Sequence, residues 1–218
     1  FKCIDNAKTL LGLNQCIQEE LEKGKLIGIS LKKMQSGASL SAKNVFGDMK
    51  FNKDYAGYEY SGKSIDGYVK LSGGTKIQFR SFGTGLGLTG FQGEVKGANA
   101  NQGKIGLGPT NMILRSHGAS EIPTNAASRV RTDPDGVFNE IAVGLKKYGR
   151  LNQKQIEEVR ESEKINTPKF LYSKLQVTQL LNILESITNR DKRNQLVEDL
   201  YLYASSQSRF SSAYYKLE

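Results

Sequence analysis

The chain holds one histidine, two cysteines and no tryptophan among its 218 residues. A lone His117 makes a histidine-rich zinc site or a Ser-His-Asp triad a poor account of the protein. Cys3 and Cys16 are too few for a disulfide scaffold; Cys16 sits in a helical pattern and reads as a core residue in a reducing compartment. Four prolines and 23 glycines follow no collagen period. No apolar run approaches the roughly 18 residues a membrane span needs, so an integral membrane protein is excluded and no membrane partner is expected. Negative charge is also scarce. Twenty-two acidic residues face 31 basic ones, a net charge of +9. A surplus of that size favours a polyanionic partner, nucleic acid or an anionic membrane surface, of which nucleic acid comes first with DNA favoured, although solubility alone accounts for it about as well. The chain opens Phe1-Lys2-Cys3, with no Met and no signal-peptide pattern. It reads as a fragment, expected in a host-cell cytoplasm or associated with a virion.

The apolar and polar pattern falls into three zones. Ala7, Leu10, Leu11, Leu13, Ile17 and Leu21 recur at helical spacing, with Asp5 or Asn6 as N-cap and Gly24 as the stop. The run from Leu26 to Leu31 reads as a buried strand. From about Val45 to Arg115 lies a glycine-rich β region. There, Asp66 to Leu71 and Lys76 to Phe82 flank Ser72-Gly73-Gly74-Thr75 as a hairpin, and Thr89 to Lys96 follows as a third strand. Helices fill the remainder: one from Asp133-Pro134, a polar one over Asn152 to Lys164, one capped by Ser173, and one from Asn189 to Tyr203. The order predicts an α+β fold: an N-terminal helix, a mixed sheet with the glycine-rich β region, then a helical part. The expected division falls near residue 120, giving a core over 1–120 and a helical region over 121–218.

Three features carry chemistry. The first is Gly24-Lys25-Leu26-Ile27-Gly28-Ile29-Ser30-Leu31-Lys32-Lys33, an apolar strand ending in two lysines. Residues two apart on a strand share a face, which puts Ser30 and Lys32 together. This segment, with Leu13-Asn14 on the helix before it, resembles a subgroup of PD-(D/E)xK nucleases of phage and restriction type, in which serine replaces the acid of the acid-x-lysine pair. The likeness covers about residues 10 to 33. It implies a Mg²⁺-dependent hydrolysis of phosphodiesters in which Lys32 positions or activates water and offsets phosphate charge. It also implies an acidic metal ligand earlier in the chain. Asp5 fits that role poorly, which places the ligand before residue 1. The bland reading is that Lys32 and Lys33 carry the strand into solvent.

The second feature is Glu94-Val95-Lys96, which has the full acid-x-lysine spacing. With Asp66 across the hairpin, Asp66 and Glu94 are candidate Mg²⁺ ligands and Lys96 a catalytic partner. The flanking Gly93 and Gly97 predict an exposed, turning segment here, and a plain surface ion pair is the alternative. The third feature is the charge between Tyr60 and Gly118, where seven basic residues face only Asp66 and Glu94. Lys70, Lys76, Arg80, Lys96, Lys104 and Arg115 are the candidate phosphate contacts. Among the interleaved Tyr60, Tyr68, Phe79, Phe82 and Phe91, some suit base stacking and most suit a core. His117, beside Gly118, reads as an ordinary loop residue. The expectation is a nucleic-acid-acting protein, a Mg²⁺-dependent DNA nuclease. The alternative is a non-enzymatic virion or assembly protein that contacts nucleic acid or its own copies, which allows a homo-oligomer.

Overall fold

The computed structural model describes residues 2–6, 8–25, 29–30, 40–43, 53–82, 88, 90–97, 103–205 and 214–217. The fold is α+β. At the N-terminal end, α1 (Lys2–Asp5) precedes α2 (Leu10–Glu22). The backbone N–H of Gly12 donates to Thr9 Oγ1 at 3.1 Å, so Thr9, rather than Asp5 or Asn6, closes the start of α2. Gly24, at φ +67, follows its end as expected. The sulfurs of Cys3 and Cys16 form a disulfide between α1 and α2, with Cα atoms 5.8 Å apart. Cys16 is buried, as its helical spacing predicts. Its bond to Cys3 removes the ground for the expected reducing compartment. Two cysteines cannot build a scaffold, but two short helices back to back need only one bridge.

Strand β1 (Ile29–Ser30) belongs to a three-stranded sheet with β2 (Leu40–Lys43) and a C-terminal strand, β8 (Tyr214–Leu217). β8 lies between the other two, parallel to β1 and antiparallel to β2.

The larger sheet is antiparallel and ordered as in the chain: β3 (Tyr55–Tyr60), β4 (Gly67–Leu71), β5 (Lys76–Ser81), β6 (Phe91–Lys96) and β7 (Lys104–Gly106). The β4–β5 turn spans Ser72–Gly74, with Gly73 and Gly74 at φ +74 and +78, the backbone the Gly-Gly pair predicts. Strict alternation sends Val69, Leu71, Ile77, Phe79, Phe91, Val95 and Ile105 to one buried face. Glu94 and Lys96 sit in the regular, paired strand β6, not in a turning segment. Gly93 serves packing there, because a β-carbon would stand 2.7 Å from the Phe79 ring and 2.8 Å from Ile77.

Among the described residues six helices follow the sheet: α3 (Leu107–Ser116), α4 (Ala126–Thr132), α5 (Pro134–Lys147), α6 (Gln153–Glu161), α7 (Pro168–Ser186) and α8 (Arg190–Ala204). α3 lies inside the stretch read as β from composition, since its glycines at 106 and 108 mask a helical run. Asp133 caps α5, Asn152 forms a capping box with Gln155 on α6, and Asn189 caps α8. α7 begins five residues before Ser173. Thr167 caps it, and Ser173 lies inside the helix, where its polar group faces the sheet instead of an N-terminus.

α7 packs across β5, with α5 and α4 beyond it, and α8 covers the β6–β7 end. One cluster of buried side chains runs from Tyr60 to Ala204 and passes across residue 120, joining the sheet to the helices. Among the described residues no helix is long and apolar enough to cross a membrane. α7 packs tightly on the sheet at Gly67, where a β-carbon would lie 2.2 Å from Val177 Cγ1. Gly67→Ala should therefore cost about 1–3 kcal/mol of stability in urea unfolding. Adding Val177→Ala should make the pair less destabilising than the two single costs summed. Full additivity would show that the two residues do not meet.

Candidate nucleic-acid interface

The same alternation that buries one face of the sheet delivers the even-numbered residues of β4 to β7 to the other, and on β3, where the register shifts, it delivers Glu59. Register then sorts them into rows. Lys70 on β4 pairs with Lys76 on β5, and Lys76 with Lys96 on β6, so three lysines stand side by side across three strands. The next row runs Glu59, Tyr68, Gln78, Glu94, Lys104. Arg80 and Gln92 form a third. Five of the six expected phosphate contacts thus share one face. Arg115 does not. It ends α3, with its Nε 3.4 Å from Glu121.

Three carboxylates temper this face. Glu59 lies 3.7 Å from Lys70 and 3.3 Å from Lys76, Asp66 lies 3.7 Å from Arg80, and Glu94 lies 2.9 Å from Lys96. The bond from Lys96 holds the Glu94 carboxyl below the usual carboxylate range, and the charges of Lys96, Lys104 and Arg80 add to it. The four paired cations remain 35 to 44% exposed, so their ion pairs are wet, exchangeable and individually weak. Tyr68 O–H donates to Asp66 at 3.4 Å and accepts from Gln78 Nε2 at 3.2 Å. Lys76 Nζ lies 4.3 Å above the Tyr68 ring. Arg80 and Lys104 lie 4.4 and 5.1 Å from the centre of Phe82. Tyr60, Phe79 and Phe91 are buried, whereas Tyr68 and Phe82 are partly exposed.

Asp66 and Glu94 stand on this face, but each is committed to a cation. Among the described residues no three His, Cys, Asp or Glu side chains come together. Asp66 faces Arg80 at 3.7 Å and Glu94 faces Lys96 at 2.9 Å. At the other candidate, Ser30 lies in β1 at the register position of Lys216, which also pairs with Ser41. Lys32 and Lys33 lie outside the described residues.

Several polar groups escaped sequence reasoning. His117 ends α3, and its Nε2 sits 2.8 Å from Asp199 Oδ2 on α8, with both side chains nearly buried. It is an inter-helix tie, not an ordinary loop residue. A pocket of about 410 Å³ opens between the β3–β4 turn and α6, lined by Ser61, Lys63, Leu151, Gln155, Glu158 and Ser162 among others. Lys174 is fully buried on α7, donating to the Asp66 carbonyl at 2.7 Å and lying 4.1 Å above the Tyr60 ring. The signal for Lys174 was a charge inside the apolar stripe from Phe170 to Leu184. Compared with protein families, curated proteins and solved structures, the chain matches none.

Burial pushes the Lys174 amine down from 10.5 to about 7, against a smaller opposing pull from Asp66. Between about pH 7 and 10.5 the unfolded chain therefore binds a proton that the folded one lacks, and stability rises with pH across that window. Lys174→Met should flatten the rise relative to the parent when urea midpoints are compared from neutral to alkaline pH. Parallel profiles would show that the amine is not buried in the neutral form.

Proposed function

We propose that this protein binds nucleic acid through the solvent face of the five-stranded sheet and acts on it as a Mg²⁺-dependent nuclease through the segment of sequence that carries Ser30 and Lys32. The observation that carries the binding reading is the row Lys70, Lys76, Lys96. Like charges placed directly opposite one another across strands destabilise a sheet. Glu59 offsets Lys70 and Lys76, and Glu94 offsets Lys96, but these pairs are exposed and weak, so a polyanion can displace them and neutralise the row. With Lys104 and Arg80 on the same face, the arrangement offers a backbone-tracking surface. The nuclease reading rests on the likeness of Gly24 to Lys33 to the PD-(D/E)xK strand. In that reading Lys32 acts on the phosphate undergoing hydrolysis and the sheet face holds the flanking strand. DNA is the favoured substrate, given the subgroup the segment resembles.

Two measurements test the two parts separately. Titration of labelled duplex and single strands at several salt concentrations should give log affinity falling linearly with log salt. The joint change Arg80→Ala and Lys96→Ala should make the duplex slope shallower by about two units. No binding at physiological salt would contradict the reading and leave the self-assembling structural protein in front. For activity, Lys32→Ala should abolish Mg²⁺-dependent cleavage of plasmid or single-stranded DNA while leaving affinity nearly intact, and Lys33→Ala should be tolerated. Undiminished cleavage by Lys32→Ala would remove that segment from the account.

A further inference from the structure

The sheet face carries more than charge. Of the five aromatic residues in the basic region, packing buries Tyr60, Phe79 and Phe91 and leaves Tyr68 and Phe82 partly exposed beside the lysine row. Each exposed ring has a cation over it: Lys76 over Tyr68, and Arg80 and Lys104 by Phe82. A ring with a cation poised on it is half of a base-binding slot. A nucleobase that slides onto the ring keeps one π-face on the aromatic, while the long cation swings outward to the neighbouring phosphate or stacks on the other face.

Position matters as much as chemistry. Tyr68 pairs with Gln78 on β5, and Phe82 lies four residues after Gln78, one past the end of that strand. At roughly 3.4 Å per residue an extended backbone carries Phe82 about 14 Å beyond Gln78, enough for separate bases. Arg80 stands between them and the lysine row runs beside Tyr68. Bases inside a duplex are stacked on one another and cannot reach rings on a sheet surface; unpaired bases can.

We infer that the ligand of this face is single-stranded nucleic acid, with bases stacked on Tyr68 and Phe82 and the backbone tracked by Lys70, Lys76, Lys96 and Lys104. This inference rests on the nucleic-acid reading above and narrows it. Stacking is indifferent to base identity, so sequence preference is weak, and the specificity is for unpaired over paired strands.

The test uses the full chain and two fluorescent probes, a thymidine strand on the order of a dozen nucleotides and a hairpin duplex of matching charge. The single strand should bind more tightly. Phe82→Ala and Tyr68→Ala should each weaken single-strand binding about 5- to 100-fold and leave duplex binding within about twofold. Phe82→Tyr, which keeps a ring, should bind as the parent does and controls for damage to the fold. If both alanine variants hold the single strand as the parent does while Lys70→Ala with Lys76→Ala weakens both probes, binding is to phosphate alone: the stacking inference falls and the nucleic-acid reading stands. Equal affinity of the parent for strand and hairpin likewise overturns the single-strand assignment. If neither probe binds at physiological salt, this inference and the reading beneath it fall together.

Discussion

A nineteen-residue helix buried on nearly every side has to satisfy its polar side chains inside the protein, and α7 does so by reaching for the sheet. Ser173 Oγ accepts the Ser81 N–H at 3.0 Å and donates to the Ile65 carbonyl at 2.9 Å. Lys174 reaches the next carbonyl, that of Asp66. Thr178 Oγ1 donates to the Lys174 carbonyl at 2.8 Å, which leaves its lone pairs to the Tyr60 O–H at 2.6 Å. Each bond is worth about 1 kcal/mol net, but breaking one leaves a buried group unpaired, which costs more. The polar set therefore fixes the register of helix on sheet, where an apolar interface would tolerate sliding. Gln176 is the exception, fully buried with neither amide atom hydrogen-bonded among the described residues.

That registration has a consequence on the far side of the sheet. Segment 65–66, pinned from beneath by Ser173 and Lys174, leads directly into β4, and Asp66 faces Arg80 above. β4 and β5 then hold Tyr68, Lys70, Lys76 and Arg80 in fixed rows. A long flexible lysine on a loop would lose its order on binding; one on a paired strand begins with its backbone already placed. The helices thus make a rigid platform of a sheet whose exposed side chains, by charge alone, would prefer to spread.

Strand and helix patterning was legible where local rules and tertiary packing agree. The Gly73-Gly74 hairpin, the Asp133-Pro134 start and the Asn189 cap are all carried by backbone geometry that a few adjacent residues dictate. Failures came where a residue has two uses. Gly93 reads as a turn signal, yet it is there because Ile77 and Phe79 fill the space of a side chain. Ser173 reads as a cap, yet it bridges two strands from within a helix. α3 hides among glycines, and β8 joins β1 from the opposite end of the chain, a pairing no local pattern announces. For the site, basic residues alternating along each strand were visible in the sequence. Their alignment into one row was not, because it depends on the register of two separate strand pairs. Which aromatics would stay at the surface was equally hidden, since Phe79 points to the buried face of β5 and Phe82, just past its end, does not.

The most direct test of the account is photochemical. A single-stranded oligonucleotide carrying 5-bromodeoxyuridine is irradiated with the full chain, and the attached residues are read by mass spectrometry. The account predicts adducts on Phe82 and Tyr68, lost when unlabelled single strand competes. Efficient crosslinking confined to residues off the sheet face, such as Tyr203 on α8, would contradict it.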